Sequence, residues 1–266
     1  MIPLLAVATV VAVTLMGLTF VLARRIDNFS VVDIAWSFNF TPLAAVYALL
    51  GSGVPFRRSV LFVVVALWSL RLSLHLARRI AALHPVEEGR YVELRRKWSP
   101  DVNGKFLRFF LFQGVLNVFL SFPLLQVALN TAPVPGVLET AGLLLFIVSL
   151  AGEALADAQL NAFKRRPRAS GEVCQEGLWR YSRHPNYFFE WLVWCAFALM
   201  ASSAPWGLLA WTCPALMLYF LLRVTGIPAT EEQSLRSRGQ AYRDYQSRTS
   251  AFVPWFPRGA PERSSA

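Results

Sequence analysis

The stretch YSRHPNYFFEW, residues 181–191, lies where a basic loop gives way to an apolar segment. The loop before it is KRRPRASGEVCQEGLWR, and FFEWLVWCAFALM continues the chain after it. His-Pro is typical of a helix entry, because proline in the first turn loses no hydrogen bond. The free N–H groups at such a helix start would lie beside Arg183 and His184, which favours an anion. A plain helix start below a basic loop would produce the same motif.

The composition predicts an integral membrane protein. The 266-residue chain is 55% hydrophobic and 16% charged, whereas a soluble domain carries roughly a quarter charged residues. Its mean hydropathy is +0.44. A bilayer-crossing helix needs about 20 mostly apolar residues, and several such runs are present. We therefore expect an all-α polytopic membrane protein with about seven transmembrane helices, at residues 2–23, 31–50, 59–77, 106–130, 137–160, 187–203 and 205–222.

Basic residues predict the orientation, because lysine and arginine concentrate in cytoplasmic loops. Eight follow the third predicted span and six follow the fifth, whereas TAPVPG and SAP carry none. Only Arg57 and Arg58 oppose the resulting arrangement, with the N-terminus outside and the C-terminus cytoplasmic. The net charge of +10 is explained mostly by this bias, although a basic cytoplasmic surface could also attract an anionic ligand. Nothing indicates a nucleic-acid partner.

The chain is expected to form one transmembrane helical domain, residues 1–257, followed by a disordered polar tail, residues 258–266. The three cysteines, Cys174, Cys195 and Cys213, have neither a CxxC nor a zinc-binding spacing. No metal site is predicted. The oligomeric state is left open.

The fifth predicted span ends in GEALADAQLNAFK and carries ionisable side chains, which a bilayer tolerates poorly. Glu153, Asp157 and Asn161 are spaced four apart and therefore lie on one helix face. Lys164 returns to that face within about 20°. This stripe could hydrogen-bond ribose hydroxyls or an amide while its lysine meets a phosphate. It could instead be a polar seam that pairs with arginines of the next helix.

The third span contains LWSLRLSLHLARR, in which Arg71 and His75 form an i, i+4 pair. An arginine inside a span must face the protein interior or water. Arg71 could pair with Asp33 of the second span, or it could line a cavity and polarise a substrate carbonyl.

The sixth span and the tail carry further candidates. Asn186 and Glu190 share one helix face, while Tyr187 belongs to an aromatic face typical of an interfacial belt. In the tail, Thr230 and Gln233 have a capping-box spacing that predicts a helix start. One side of that helix is expected to carry Leu235, Tyr242 and Tyr245. The stretch AFVPWF, which follows, offers aromatic residues to the membrane surface or to the bundle. A tail folded back over the cytoplasmic mouth would close a site there.

EGLWRYSRHPNYFFEW, followed by a pair of spans and TSAFVPWFP, resembles the steroid 5α-reductase-like superfamily of membrane enzymes. It is most similar to bacterial members with a steroid-reductase C-terminal-type domain. The resemblance runs from about residue 153 to residue 257, and VVDIAWSFNF and LWSLRLSLHLARR extend it for the bacterial branch. The superfamily includes sterol reductases, and its core is similar to that of isoprenylcysteine carboxyl methyltransferases.

In reductases of this superfamily NADPH lies in a polar chamber open to the cytoplasm. The resemblance therefore implies a cofactor half at about residues 137–257, facing the cytoplasm of a bacterial inner membrane. Together with the polar stripe, it implies as cofactor-binding residues Glu153, Asp157, Asn161, Lys164, Arg183, His184, Asn186, Tyr187, Glu190, Arg223 and Tyr245. Steroid reductases tend to have asparagine where this chain has Glu153.

The substrate half departs from the steroid enzymes, which hold an enone carbonyl with a glutamate on the second span and a tyrosine on the third. Here the second span offers Asp33 and the third has no tyrosine. Arg71 and His75 are the nearest polar substitutes, so these three residues are the catalytic candidates.

Three hypotheses follow. The first is an NADPH-dependent reductase of a carbon–carbon double bond in a lipid-like substrate, such as a steroid, an isoprenoid or a fatty-acyl chain. The second is an S-adenosylmethionine-dependent methyltransferase of the isoprenylcysteine type, for which Glu231 and Glu232 resemble a paired glutamate motif. In that family the arginine and the glutamates lie closer together than Arg223 and this pair do, which favours the reductase. The third is a non-enzymatic membrane protein, but no internal repeat indicates a transporter.

Overall fold

The computed structural model describes residues 1–167, 169 and 171–259, and these form helices and their connections. Part of the predicted polar tail, residues 260–266, lies outside the described residues. The all-α prediction is confirmed. The helices are α1 Ile2–Arg25, α2 Val31–Phe38, α3 Phe40–Leu50, α4 Pro55–Leu83, α5 Gly89–Trp98, α6 Val102–Leu120, α7 Phe122–Leu129, α8 Val137–Arg165, α9 Pro185–Ala201, α10 Thr212–Tyr219, α11 Ile227–Arg238 and α12 Gln240–Arg248.

The chain falls into two compact units. The first consists of Met1–Val137 with Ala201–Ala210, and the second begins with Leu138–Met200 and resumes at Trp211. The second unit therefore contains α8 to α12 almost entirely, and every residue predicted to bind a cofactor.

Within the part of the chain that the structure describes, five helical segments are long and apolar enough to cross a membrane, so the protein is an integral membrane protein. These segments are Ile2–Arg25, Pro55–Leu83, Val102–Leu129, Val137–Arg165 and Gly207–Arg238. Each corresponds to one predicted span.

The two other predicted spans take a different form. Residues 31–50 are divided into α2 and α3 at Asn39, because Pro42 has no N–H to donate to the carbonyl four residues earlier. The hydroxyl of Ser69 on α4 lies 3.4 Å from that carbonyl, which belongs to Phe38, and donates to the neighbouring carbonyl of Ser37 at 2.6 Å. The helix predicted at 187–203 is α9, whose 17 residues extend about 25 Å. This is shorter than the roughly 30 Å of a typical hydrocarbon core.

The break after α2 is held by a second polar contact inside the first unit. Asn117 of α6 donates from Nδ2 to the carbonyl of Trp36 at 3.1 Å, and its Oδ1 accepts from Asn39 Nδ2 at 3.0 Å. Both asparagines are fully buried. Buried polar groups need such partners, because an unsatisfied one costs about 1–3 kcal/mol.

The two arginines that opposed the predicted orientation cap backbone carbonyls. Arg57 is buried, and its guanidinium donates to the carbonyls of Asn130, Ala132 and Val134. Arg58 Nη1 donates to the carbonyl of Ala48 near the end of α3, at 2.8 Å. Their positions are therefore explained by local structure.

In the second unit α8 and α9 pack antiparallel along their length. Near one end Gly142 lies against α9, where a Cβ at this position would fall 2.8 Å from both the Ala196 carbonyl oxygen and the Met200 nitrogen. Phe146 stacks on Phe197 with ring centroids 5.7 Å apart. This close backbone approach sets the register of the residues that follow on both helices.

We predict that Gly142→Val destabilises the protein by about 1–3 kcal/mol, because the added side chain overpacks a backbone contact that cannot yield locally. Thermal unfolding in detergent measures this. Gly17→Val on α1 is the matched control, since nothing lies within 4 Å of a Cβ there. Equal melting temperatures for the two variants would contradict the close packing of α8 on α9.

Candidate functional site

The predicted polar stripe runs along α8 from the buried part of the helix to its exposed end. Glu153 and Asp157 are 3% and 8% exposed, respectively. Asn161 and Lys164, in the last turns, are exposed. The helical repeat of the sequence therefore places two buried carboxylates below an amide and an ammonium group, as the i, i+4 spacing predicted.

The stripe meets α9 through what we call the polar pair, Asp157 and Asn186. Asn186 Nδ2 lies 3.4 Å from Asp157 Oδ1. One turn further along α9, Glu190 is buried and its Oε1 accepts a hydrogen bond from Trp194 Nε1 at 3.0 Å. The α8–α9 packing thus brings acceptor and amide groups from both helices to one level of the unit.

Arg183, just before α9, belongs to a second group that we call the tail latch: Arg183, His184, Glu231 and Gln246. Arg183 Nε donates to Glu231 Oε1 at 2.6 Å, and Nη1 donates to the carbonyls of Gln246 and Thr249 at 3.0 and 2.5 Å. Gln246 Nε2 donates to the other oxygen of Glu231 at 3.0 Å. The latch therefore ties the entry of α9 to α11 and to the end of α12.

His184 lies in the same group and is 3% exposed. Its Nε2 is 3.3 Å from Glu231 Oε1, and its ring stacks on Tyr187 with an interplanar angle of 5°. The Tyr187 hydroxyl is 3.1 Å from Thr230 Oγ1 on α11. The helix-start motif predicts an anion beside Arg183 and His184, and in this structure the carboxylate of Glu231 lies there.

The chain after α12 pairs with the segment before α9. Ser182 and Ser250 form a parallel bridge, with Arg183 N donating to Ser250 O at 2.8 Å. The buried Tyr245 donates its hydroxyl to the carbonyls of Trp179 and Ser182. The tail therefore folds back onto the start of α9.

The connection from α8 to α9 folds back along the last turns of α8. Trp179 Nε1 donates to the carbonyl of Ala156 at 2.9 Å, and Leu178 N donates to Gln159 Oε1 at 2.9 Å. Gly177 permits this approach, because its φ is +56° and a Cβ there would fall 2.3 Å from the Gln159 side chain. Within the second unit, this connection is layered between α8 and α12.

The predicted cofactor residues thus separate into distinct environments. Asp157 joins Asn186, near the buried Glu190, while Arg183, His184 and Tyr187 join the α11 residues Glu231 and Thr230. Arg223 is exposed and lies in a π-helical segment, Phe220–Val224, between α10 and α11. Tyr245 directs its hydroxyl to backbone carbonyls instead of to the polar pair.

The catalytic candidates all belong to the first unit. Asp33 Oδ1 accepts from Arg90 Nη2 at 2.8 Å and from the Tyr91 hydroxyl at 2.7 Å. Tyr91 is completely buried, and burial together with the Asp33 carboxylate raises its pKa well above the usual range. Arg71 and His75 are half-buried on α4. Asp33 therefore anchors the first turn of α5, which contains Arg90 and Tyr91.

Further ion pairs hold α5 and the residues just before it. Arg95 Nε lies 2.6 Å from Glu87 Oε2, and Arg95 Nη2 lies 2.8 Å from Asp27 Oδ1. Glu87 Oε1 also accepts from the backbone N–H of Phe29 at 2.6 Å. The contacts of this segment with Asp27, Phe29 and Asp33 were not predicted, because they join residues 57 to 68 positions apart.

Other features of the tail also differ from the sequence analysis. The helix predicted to start at Thr230 begins at Ile227, where Pro228 occupies the first turn. The Thr230 hydroxyl donates instead to the carbonyl of Gly226 at 3.0 Å. Glu231 pairs with Arg183, whereas the sequence indicated only that Glu231 and Glu232 form an acidic pair. The prediction of a single helix that carries Leu235, Tyr242 and Tyr245 on one side is wrong, because Leu235 belongs to α11 and the two tyrosines belong to α12. The three side chains nevertheless pack in one cluster with Val173.

The groups of the stripe and the polar pair suit a ligand with hydroxyls and an amide. Carboxylates accept hydrogen bonds from ribose hydroxyls, and Asn186 can both donate and accept. Lys164, exposed at the end of the stripe, is chemically suited to a phosphate. The residues present therefore fit a nucleotide cofactor.

Residues 19–249 match a family model described as "Protein of unknown function (DUF1295)". A protein of Schizosaccharomyces pombe, described as "Uncharacterized protein C594.04c", is 27% identical over 257 residues, covering 85% of this chain and 73% of the relative. No solved structure matches the chain significantly.

The buried tyrosines of α12 predict a loss of stability at high pH. Burial raises the pKa of Tyr242 from its ordinary value of 10 to about 12 and raises that of Tyr245 further. The folded chain therefore holds these protons more tightly than the unfolded chain does. The contribution of the two protonated tyrosines to the free energy of unfolding is fully present below pH 10 and is lost as pH rises towards about 12.

The measurement is the melting temperature in detergent as a function of pH from 9 upwards. Tyr242→Phe should reduce the fall of the melting temperature with pH, and Tyr245 should account for the fall that remains. Identical slopes for the native chain and the variant would contradict the burial of the Tyr242 hydroxyl.

Proposed function

The chain belongs to the DUF1295 family, which is described as a protein of unknown function, and we propose that it is a membrane-embedded NADPH-dependent reductase. Its substrate would be a lipid-like molecule, in which it would reduce a carbon–carbon double bond. The observation that carries the proposal is the polar pair of Asp157 and Asn186, set between two apolar helices with the buried carboxylates of Glu153 and Glu190 nearby.

Three carboxylates lie buried on the apolar helices α8 and α9. An ionisable side chain in a membrane-spanning helix costs several kcal/mol, so it is retained where it contributes to function or to a specific pairing. Glu153, Asp157 and Glu190 are each no more than 8% exposed. These three carboxylates could accept hydrogen bonds from ribose hydroxyls and from the nicotinamide amide, which supports the cofactor assignment.

The basic end of the stripe supports the same orientation. Lys164 lies on the face of Glu153 and Asp157, about two turns beyond Asp157. A cofactor held by ribose at the carboxylates would direct phosphates towards the exposed helix end and the cytoplasm. Arg183, which was predicted to bind the cofactor at the helix start, would act through the tail latch by fixing the entry of α9 and so the position of Asn186.

Bound NADPH would supply a hydride to one carbon of the double bond, and a proton would reach the other carbon. The residues proposed on the substrate side are His75, Arg71 and Asp33. A hydrogen bond from His75 or Arg71 to a conjugated carbonyl would stabilise the negative charge that develops on its oxygen. Asp33 would act indirectly, since it positions Arg90 and Tyr91.

The second candidate is an S-adenosylmethionine-dependent methyltransferase. The observation that favours it is the carboxylate held by Arg183 and His184, because the carboxylate of that cofactor could occupy an equivalent place. Glu231 already satisfies these donors, and we therefore rank the reductase first.

The proposed topology has seven membrane segments, with α2–α3 and the short α9 added to the five long apolar helices. Arg57 and Arg58 cap carbonyls and so do not oppose an external N-terminus and a cytoplasmic C-terminus. A bacterial inner membrane is the proposed location, with the cofactor residues at the cytoplasmic side.

The test is a titration of the purified chain in detergent with NADPH, NADH and S-adenosylmethionine, followed by thermal shift. NADPH should raise the melting temperature and S-adenosylmethionine should not. Asp157→Ala should weaken NADPH binding about 10–100-fold, since a hydrogen bond to a charged group contributes about 1.5–3 kcal/mol.

The matched control is Glu139→Gln, which removes a buried carboxylate from the other end of α8. This variant should bind NADPH like the native chain. A shift with S-adenosylmethionine alone would establish the second candidate, and no shift with any of the three ligands would overturn the proposal.

A further inference from the structure

We propose that the C-terminal segment is a membrane-interface anchor that inserts an apolar hook, Val253, Trp255 and Phe256, into the boundary between lipid headgroups and acyl chains. The hook would enter the bilayer on the side where α9 begins. This inference concerns a surface outside the candidate cofactor site and does not depend on the proposed reaction.

The hook is exposed although the segment that carries it is held firmly. Val253, Trp255 and Phe256 are 52%, 70% and 77% exposed. Between them and the latch, Ser182 Oγ donates to the carbonyl of Phe252 at 2.8 Å. The backbone N–H of Trp255 donates to the carbonyl of Tyr181 at 2.9 Å. The exposure of these apolar side chains is therefore a feature of an ordered segment and not of a frayed end.

The attachment points set the depth of the hook. Tyr181 lies four residues before Pro185, where the apolar helix α9 begins. Phe252 is buried and packs on Phe188 and Trp191 in the first two turns of α9, with ring centroids 5.6 and 5.9 Å apart. The hook therefore lies beside the start of an apolar helix, where the proposed membrane boundary would be. Trp prefers this level in membrane proteins because its ring is apolar and its N–H is polar.

Positive charge around the hook favours a lipid surface as its partner. Arg180, Arg248 and Arg258 are exposed. Arg258 N donates to the carbonyl of Arg248 at 2.9 Å, so these two arginines belong to the same fold of the chain. Aromatic side chains flanked by arginines match a membrane interface with anionic headgroups.

The anchor is continuous with the tail latch. Ser250, at the start of the segment, accepts a hydrogen bond from Arg183 N at 2.8 Å, and Thr249 O accepts one from the Arg183 guanidinium. Insertion of the hook would therefore hold the last turns of the tail against the entry of α9.

The experiment places the full chain in phospholipid vesicles that contain phosphatidylglycerol and measures tryptophan fluorescence. Trp255→Phe removes one indole and keeps the apolar hook, so the difference between the native chain and this variant isolates Trp255. Lipids brominated near the headgroup end of the acyl chain should quench this difference signal more than lipids brominated near the bilayer centre. Aqueous acrylamide should quench it weakly.

Two other results would overturn the proposal. Strong quenching by acrylamide without quenching by brominated lipid would place Trp255 in water. Quenching by neither would mean that protein covers it, for example a second copy of this chain.

A second pair of variants tests the link to the latch. Trp255→Glu/Phe256→Glu should accelerate amide hydrogen exchange at Arg183 at least tenfold in vesicles, whereas Trp255→Leu/Phe256→Leu should leave it unchanged. Equal exchange in both variants would contradict the anchoring of the latch by the hook.

Discussion

The second unit depends on the ion pair between Arg183 and Glu231. The two side chains are only 10% and 17% exposed, and charges removed from water are stable only when well paired. Arg183 also satisfies two backbone carbonyls, and Glu231 also meets His184 and Gln246. One guanidinium therefore fixes the entry of α9, the start of α11 and the end of α12 relative to one another.

This arrangement separates two roles that the basic motif RHPNY combines in sequence. Arg183 and His184 are committed to the tail, while Asn186, two residues later, reaches Asp157 on α8. The helix start places these side chains on different sides of the chain. Under the proposed function, the tail latch positions the entry of α9 and the polar pair binds the cofactor. Loss of the latch would therefore displace Asn186 even though Arg183 need not contact the cofactor.

Much of the fold could be predicted because hydropathy and helical periodicity are local properties. The runs at residues 2–23 and 137–160 form α1 and most of α8, and the four-residue spacing of Glu153 and Asp157 does place both carboxylates in the buried part of one helix. The break within residues 31–50 was less predictable, because the Ser69 hydroxyl that lies near the Phe38 carbonyl comes from another helix.

The partners of charged residues could not be predicted, because they are set by tertiary packing. Glu231 is 48 residues from Arg183, and Asp33 meets Arg90 and Tyr91 across a comparable separation. Spacing along a helix says which side chains share a face, but not which of several nearby cations or carboxylates closes the contact.

The most direct test of this account is a double-mutant cycle on the latch, with Arg183→Gln, Glu231→Gln and the combined variant, measured as the free energy of unfolding in detergent. The account predicts a coupling energy above about 1.5 kcal/mol, as expected for a charge-assisted hydrogen bond between largely buried groups. The same cycle on the exposed pair Arg236 and Glu232 should give about 0.5 kcal/mol or less. Additive effects at Arg183 and Glu231, within about 0.5 kcal/mol, would contradict the claim that this ion pair holds the tail to α9.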